Sequence, residues 1–254
     1  MSDPPELDAG WSRSAPARAV RRAVLGAVFE PLMSVYTART VTGQEHLEGI
    51  EPPVVFVANH SSHYDTPAIL RALPGPWRRR TAVAAAADYF YAKRRLGWTV
   101  SLFFGTVPVA RDGRGLDHDS TAHIKGLFEH GWSLVMFAEG TRSRDGSLGK
   151  LRSGAAVIAQ QHHIPIVPIY LKGTHEAMPP GRNWPHKRWL LARRHRVEVH
   201  FGLPIWPGID EHRSAVMARV RAFLETEAGE VSPPPQPIAP PPAPVAEWPV
   251  SPVV

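Results

Sequence analysis

The chain contains no cysteine. That excludes disulfide staples, thiolate metal centres and cysteine nucleophiles, and it is compatible with any reducing compartment. Long hydrophobic runs are missing as well. Crossing a bilayer takes roughly 20 predominantly apolar residues, whereas the longest uncharged run, Leu96 to Ala110, is shorter and is interrupted by Gly97, Gly105 and Pro108. No transmembrane helix is expected, so any membrane contact should be peripheral. The opening MSDPPELDAGWSRSAPARAV is polar and lacks the charged-then-apolar pattern of a secretory signal, so no leader is expected and the mature chain should start there. There is no internal repeat and no G-x-S-x-G elbow.

What remains is a folded protein of 254 residues with 43% hydrophobic content, long enough for one large domain with a substantial core. The formal charge of +6 and pI of about 10.0 favour anionic partners such as nucleic acid, phosphorylated substrates or an acidic leaflet. Charge alone does not choose among them. The arginines are spread out and no nucleic-acid reading motif accompanies them, so nucleic acid is not an expected partner.

Residues 1–17 are expected to be flexible, residues 18–229 to form the domain, and the proline-rich residues 230–254 to be a disordered tail. From Val20 to Val35 apolar residues recur at helical spacing beside Arg18, Arg21 and Arg22, which predicts an amphipathic helix kinked or ended by Pro31. Basic flanks of this kind suit a membrane surface, and equally a helix packed on its own core with solvated arginines. The segment NWPHKRWLLARRHRVEV, mixing tryptophan with basic residues, suits an anionic membrane interface and equally a surface hairpin with snorkelling side chains.

Short apolar runs then alternate with helical stretches. VVFVA (Val54 to Ala58), TAVAAAA (Thr81 to Ala87), TVPVA (Thr106 to Ala110), SLVMFA (Ser133 to Ala138) and IPIVPIYL (Ile164 to Leu171) read as buried strands, followed by the alternating HRVEVHF. Helices are predicted over Thr66 to Leu73, Asp88 to Phe104, Asp119 to His130, Ser153 to His163 and about Asp210 to Ala228, the last stopped by Gly229. Strands alternating with helices predict a single α/β domain with a mostly parallel central sheet flanked by helices. Ligands of such sheets bind at the carboxyl ends of the strands.

At one such end stands NHSSHYD, Asn59 to Asp65. His60 and Asp65 are five residues apart, which on a regular helix separates them by about 140°. The following DTP supplies a helix start, with Thr66 as N-cap and Pro67 in the first turn, so His60 should lie in a strand-to-helix loop with Asp65 able to fold back onto the imidazole. A carboxylate on one ring nitrogen fixes the tautomer and leaves the other free to take a proton, which is general-base chemistry. A metal site using His63 as well, or a plain polar loop, are the alternatives; no further ligand pair with familiar metal spacing appears.

FAEGTRS follows another buried run and gathers Glu139, Gly140, Thr141 and Arg142. Gly140 permits a tight turn, Arg142 offers a planar fork for phosphate oxygens, and Glu139 can orient that arginine or accept a substrate hydroxyl. In GTVPVAR, Arg111 offers a second phosphate contact, and Lys150 and Arg152 precede a helix whose N-terminus adds positive potential. Each segment alone also reads as an ordinary turn with surface charges.

Taken in order, NHSSHYD, GTVPVAR, FAEGTRS and IPIVPI resemble the four sequence blocks of the glycerolipid acyltransferases, the 1-acylglycerol-3-phosphate acyltransferase type, over roughly Val41 to Leu203. The resemblance implies a fatty acyl transfer from acyl-CoA or acyl carrier protein to a lysophospholipid hydroxyl, with no metal or bound cofactor. Together with the basic charge and the lack of a spanning run, the expected setting is cytoplasmic, with peripheral association at an anionic membrane surface. The resemblance makes His60 the base and Asp65 its orienting carboxylate. It also maps Arg111, Glu139, Gly140, Thr141 and Arg142 onto glycerol-phosphate-binding positions and makes IPIVPI a buried strand shaping the acyl site.

Overall fold

In the sequence VFVA every residue is apolar, and a strand of that composition is stable only where both of its faces are covered. The computed structural model, which describes residues 10–86, 94–109, 118–182, 184–185 and 193–229, places it at the centre of a seven-stranded sheet. The strands are β1 (Thr37–Thr42), β2 (Val55–Ala58), β3 (Thr81–Ala86), β4 (Thr106–Val109), β5 (Ser133–Phe137), β6 (Ile166–Lys172) and β7 (His195–Phe201). Their order is β1-β7-β6-β2-β5-β3-β4. Every pairing is parallel except β6 with β7. In β2, Phe56 and Ala58 enter one core and Val55 and Val57 the other, and none of the four is exposed at all.

The described helices are α1 (Ala15–Ala23), α2 (Glu30–Tyr36), α3 (Asp65–Ala72), α4 (Gly75–Arg79), α5 (Arg94–Phe104), α6 (His118–Glu129), α7 (Gly154–Gln161), α8 (Thr174–Ala177) and α9 (Arg213–Ala228). Ile69, Leu70 and Trp77 of α3 and α4 pack on one face of the sheet with Leu25 and Met33 from the N-terminal helices. Ile124, Leu127, Ile158, Val216, Val220 and Leu224, from α6, α7 and α9, cover the other. The chain belongs to the expected class, an α/β domain with a mostly parallel sheet between helices.

Order begins earlier than residue 18: Gly10–Arg13 forms a 3-10 turn and Ser14 caps α1 by accepting from the Ala17 N–H, so residues 10–17 are structured. The stretch Val20 to Val35 is not one regular helix. A π-helical segment, Val24–Phe29, joins α1 to α2 without a break, and Pro31 sits in the first turn of α2. This junction splits the apolar residues between two faces. Leu25 and Met33 are buried, while Val20, Val28 and Val35 face outward at 45%, 58% and 54% exposure.

Helix α3 starts at Asp65 with Tyr64 as its N-cap, not at a Thr66 cap, because the Asp65 side chain is drawn back over the preceding loop. Strand β1, TARTVT, was not expected: four of its six residues are polar, only Thr37 is buried, and it lies at the sheet edge against β7. Arg111, the proline-rich tail and most of the segment from 183 to 192 fall outside the described residues.

Candidate active site

Two loops leave neighbouring parallel strands at the same edge of the sheet, one after β2 and one after β5. Asn59 secures the first. Its Nδ2 donates to the Leu171 carbonyl at 2.9 Å and its Oδ1 accepts from the Leu171 N–H at 2.8 Å, so the end of β2 is tied to β6. The chain then turns through His60 to Asp65. Asp65 Oδ2 accepts three N–H groups: His60 Nδ1 at 2.8 Å, Ser61 N at 2.7 Å and Ser62 N at 2.8 Å. The carboxylate is wholly buried in the first turn of α3, where the N-terminal end of the helix favours negative charge.

The fold-back predicted for Asp65 onto His60 is present. With Nδ1–H committed to Asp65, Nε2 is left as the acceptor; it has no hydrogen bond among the described residues, and His60 lines the cleft. The flat face of the ring stacks on Phe137 with centroids 3.8 Å apart and planes 17° apart. Imidazole orientation is thus fixed by a hydrogen bond at one edge and an aromatic face beneath. Ser61 and Ser62 build the loop: Ser62 Oγ donates to the Met178 carbonyl at 2.7 Å, and Ser61 Oγ meets Thr174 Oγ1 at 3.2 Å.

Glu139 makes no hydrogen bond to Arg142 among the described residues and instead joins the loops: Oε1 accepts from the His60 N–H at 3.2 Å and Oε2 from the Gly149 N–H at 3.1 Å. Burial pushes its pKa up, against the two backbone N–H donors, which favour the carboxylate. Gly140 has φ +71, and a Cβ there would lie 2.8 Å from Arg152 Nε, so this glycine meets both a left-handed turn and a close side chain. Arg152 Nε in turn donates to the Glu139 carbonyl at 3.3 Å. Arg142 is held by His63, whose Nε2 lies 2.6 Å from Arg142 Nη1.

Thr141, Arg142, Lys150 and Arg152 all line the cleft, with Arg213 and Arg221 farther along it. Its one lining carboxylate among the described residues is Glu139, already engaged with two backbone donors. The cleft, of about 1770 Å³, continues as apolar surface on both faces of the sheet. Phe29, Met33, Val83, Ala85, Val100 and Phe104 line one side, and Ala84, Ala86, Val109, Met136, Val157 and Met217 the other. β6 lies buried one strand away and none of its residues lines the cleft; IPIVPI does not wall the site, and the strand meets it through Leu171, just beyond that run, which pairs with Asn59. Among the described residues no group of three or more His, Asp or Glu side chains could hold a metal, and no helix is long and apolar enough to cross a membrane.

A family model described as Acyltransferase matches residues 38–172, more than half of the chain, a span that includes His60, Asp65, Glu139, Arg142 and Arg152. The chain belongs to the acyltransferase family. It is 34% identical over 148 residues to a chloroplastic 1-acyl-sn-glycerol-3-phosphate acyltransferase of Brassica napus, an alignment covering 56% of this chain and 39% of that one. A Chlamydomonas reinhardtii protein of the same name is 28% identical over 201 residues, covering 78% of this chain and 57% of the relative. The chain therefore spans about two fifths to under three fifths of these relatives. In fold it is similar to the crystal structure of the 1-acyl-sn-glycerophosphate acyltransferase of Thermotoga maritima, with a TM-score of 0.58 at 22% identity over 86% of this chain and 82% of that one.

Within this acyltransferase domain, sequence reasoning missed the Phe137 stack, the Asn59 bridge, and the partners of Glu139 and Arg142. Only Phe137 left a local signal, as the last residue of a strand whose end faces the site.

Proposed function

We propose that the chain transfers a fatty acyl group from an acyl-CoA or acyl carrier protein thioester to the hydroxyl of 1-acylglycerol-3-phosphate, giving phosphatidic acid. The observation that carries the reading is the His60–Asp65 pair at 2.8 Å, with the free ring nitrogen on a cleft bordered by cationic side chains. In the reaction His60 Nε2 takes the acceptor hydroxyl proton as the oxygen attacks the thioester carbonyl. The C–S bond breaks, and the proton held by His60 passes to the departing thiolate. A thioester is already an activated acyl group, so base, orienting carboxylate and anion contacts suffice, with no metal or bound cofactor.

Arg142, Lys150 and Arg152 would receive the acceptor phosphate, and Arg142 presents the planar fork suited to it. Glu139 and Gly140 act by shaping the loops. The cleft volume of about 1770 Å³ exceeds the roughly 300–1,000 Å³ of a site for one drug-sized ligand, in keeping with two long-chain substrates. Val20, Val28 and Val35, exposed beside Arg22 on the N-terminal helices, support peripheral contact with an anionic membrane surface.

The test supplies purified protein with radiolabelled acyl-CoA and a panel of acceptors in detergent. Labelled phosphatidic acid should form with lysophosphatidic acid. Product formed with another lysophospholipid or a glycolipid, and none with lysophosphatidic acid, would overturn the choice of acceptor.

A further inference from the structure

His63 is a residue the acyl-transfer scheme leaves without a part. In the loop after β2, Asn59, Ser61, Ser62, Tyr64 and Asp65 are buried, and only His60 and His63 reach the cleft. A guanidinium can only donate, so at 2.6 Å from Arg142 Nη1 the His63 Nε2 atom is the acceptor and its ring the neutral Nδ1–H form. That bond is the one hydrogen bond Arg142 makes among the described residues, and no carboxylate there forms an ion pair with it.

The choice of acceptor has a physical consequence. A carboxylate would hold the guanidinium more firmly but would cancel its field at the cleft mouth. A neutral imidazole aims the side chain and leaves its charge whole. We infer that His63 is a positioning residue that holds Arg142 across the cleft mouth through an uncharged acceptor, keeping the full positive charge available to the phosphate of the acceptor lipid. The inference rests on reading Arg142 as a phosphate contact.

The surroundings keep His63 in the accepting form. His63 is exposed to solvent, yet partial desolvation of its ring, then Arg142, then His60, lower its pKa from the ordinary 6.5, and Asp65 opposes them; these are the charged groups that face it from its own loop, from α3 and from the loop after β5. Protonation would remove the lone pair and set a cation against Arg142.

Steady-state kinetics with lysophosphatidic acid and acyl-CoA separate this role from simple loop filling. His63→Ala should raise the acceptor KM by about tenfold and leave kcat within about threefold, one tenfold step corresponding to loss of a single charge-assisted bond. His63→Gln, whose Oε1 accepts without titrating, should recover most of the loss. His63→Glu should not, although it also accepts, because it neutralises Arg142. An acceptor KM unchanged in His63→Ala, or restored equally by Gln and Glu, contradicts the inference. A second readout needs no turnover: in an NMR titration, Arg142→Gln should raise the His63 pKa by removing the adjacent charge. An unmoved His63 pKa refutes the contact. If the wild-type protein does not acylate lysophosphatidic acid, the proposed function fails while the titration still decides whether His63 and Arg142 are coupled.

Discussion

The loops after β2 and β5 sit side by side and are built in opposite ways. From Asn59 to Asp65 nearly every polar group is buried and bonded inward, and α3 follows at once. From Thr141 to Lys150 the side chains are largely exposed, and the bonds are short-range, as where Asp145 accepts from Ser143 and Ser147. Under the proposed function the first loop holds a proton acceptor in one orientation, and burial with dense inward hydrogen bonding gives that rigidity. Under the same proposal the second offers donors to a ligand that arrives and leaves, and among the described residues no ion pair ties its cations to a carboxylate. Glu139 is the link, with one oxygen on each loop.

Breaking the rigid loop should have the largest effect. Asp65→Ala leaves the buried Ser61 and Ser62 N–H groups without their acceptor and frees the His60 ring. Losing those hydrogen bonds should cost about 2–5 kcal/mol of unfolding free energy, read by urea denaturation. Acyl transfer should also fall at least about a hundredfold, through loss of the base's orientation.

Cutting the link comes next. Glu139→Gln keeps one acceptor oxygen but sets its amide N–H₂ against one of the two backbone donors. Activity should drop by about tenfold, roughly one lost bond's worth of positioning. Its pH dependence has a definite sign. Because burial raises the folded pKa of Glu139, ionisation disfavours the fold: its contribution to stability is fully present below the ordinary 4.5 and is lost as pH rises through the raised value. Wild-type stability relative to Glu139→Gln should therefore decline across that interval, and a flat difference would remove Glu139 from the titration.

Gly140→Ala perturbs the open loop alone. A left-handed φ of +71 with a side chain costs about 1–2 kcal/mol, and the Cβ displaces Arg152. The acceptor KM should rise more than the donor KM in the same assay. The smallest effect belongs to the far surface. Val28→Ser, at a residue 58% exposed, should weaken binding to vesicles rich in acidic lipid by about threefold, the transfer value of one exposed apolar side chain being under about 1 kcal/mol, while activity on detergent-dispersed substrate stays unchanged. Equal vesicle binding by both proteins would take the N-terminal helices out of the membrane contact.

What could be read beforehand follows the same division. Strands β2 to β6 were legible because burial on both faces demands unbroken apolar runs, and β7 because one half-covered face makes it alternate. β1 was not, since an edge strand tolerates TARTVT. The return of Asp65 to His60 could be predicted because the bond spans five residues and a helix start intervenes. Glu139 to His60 and Arg142 to His63 each span 79 residues, and only the register of β2 against β5 brings them together. Local chemistry identified His60, Asp65, Glu139 and Arg142 as candidates, and tertiary pairing gave Glu139 and Arg142 their partners.

The central claim is that a single oriented imidazole carries the proton transfer. Single-turnover formation of labelled phosphatidic acid by His60→Ala, beside wild type and with folding followed by circular dichroism, tests it most directly. The account predicts a native spectrum and a rate reduced by about 10²–10⁴-fold; a natively folded variant that turns over within a few-fold of wild type would contradict it.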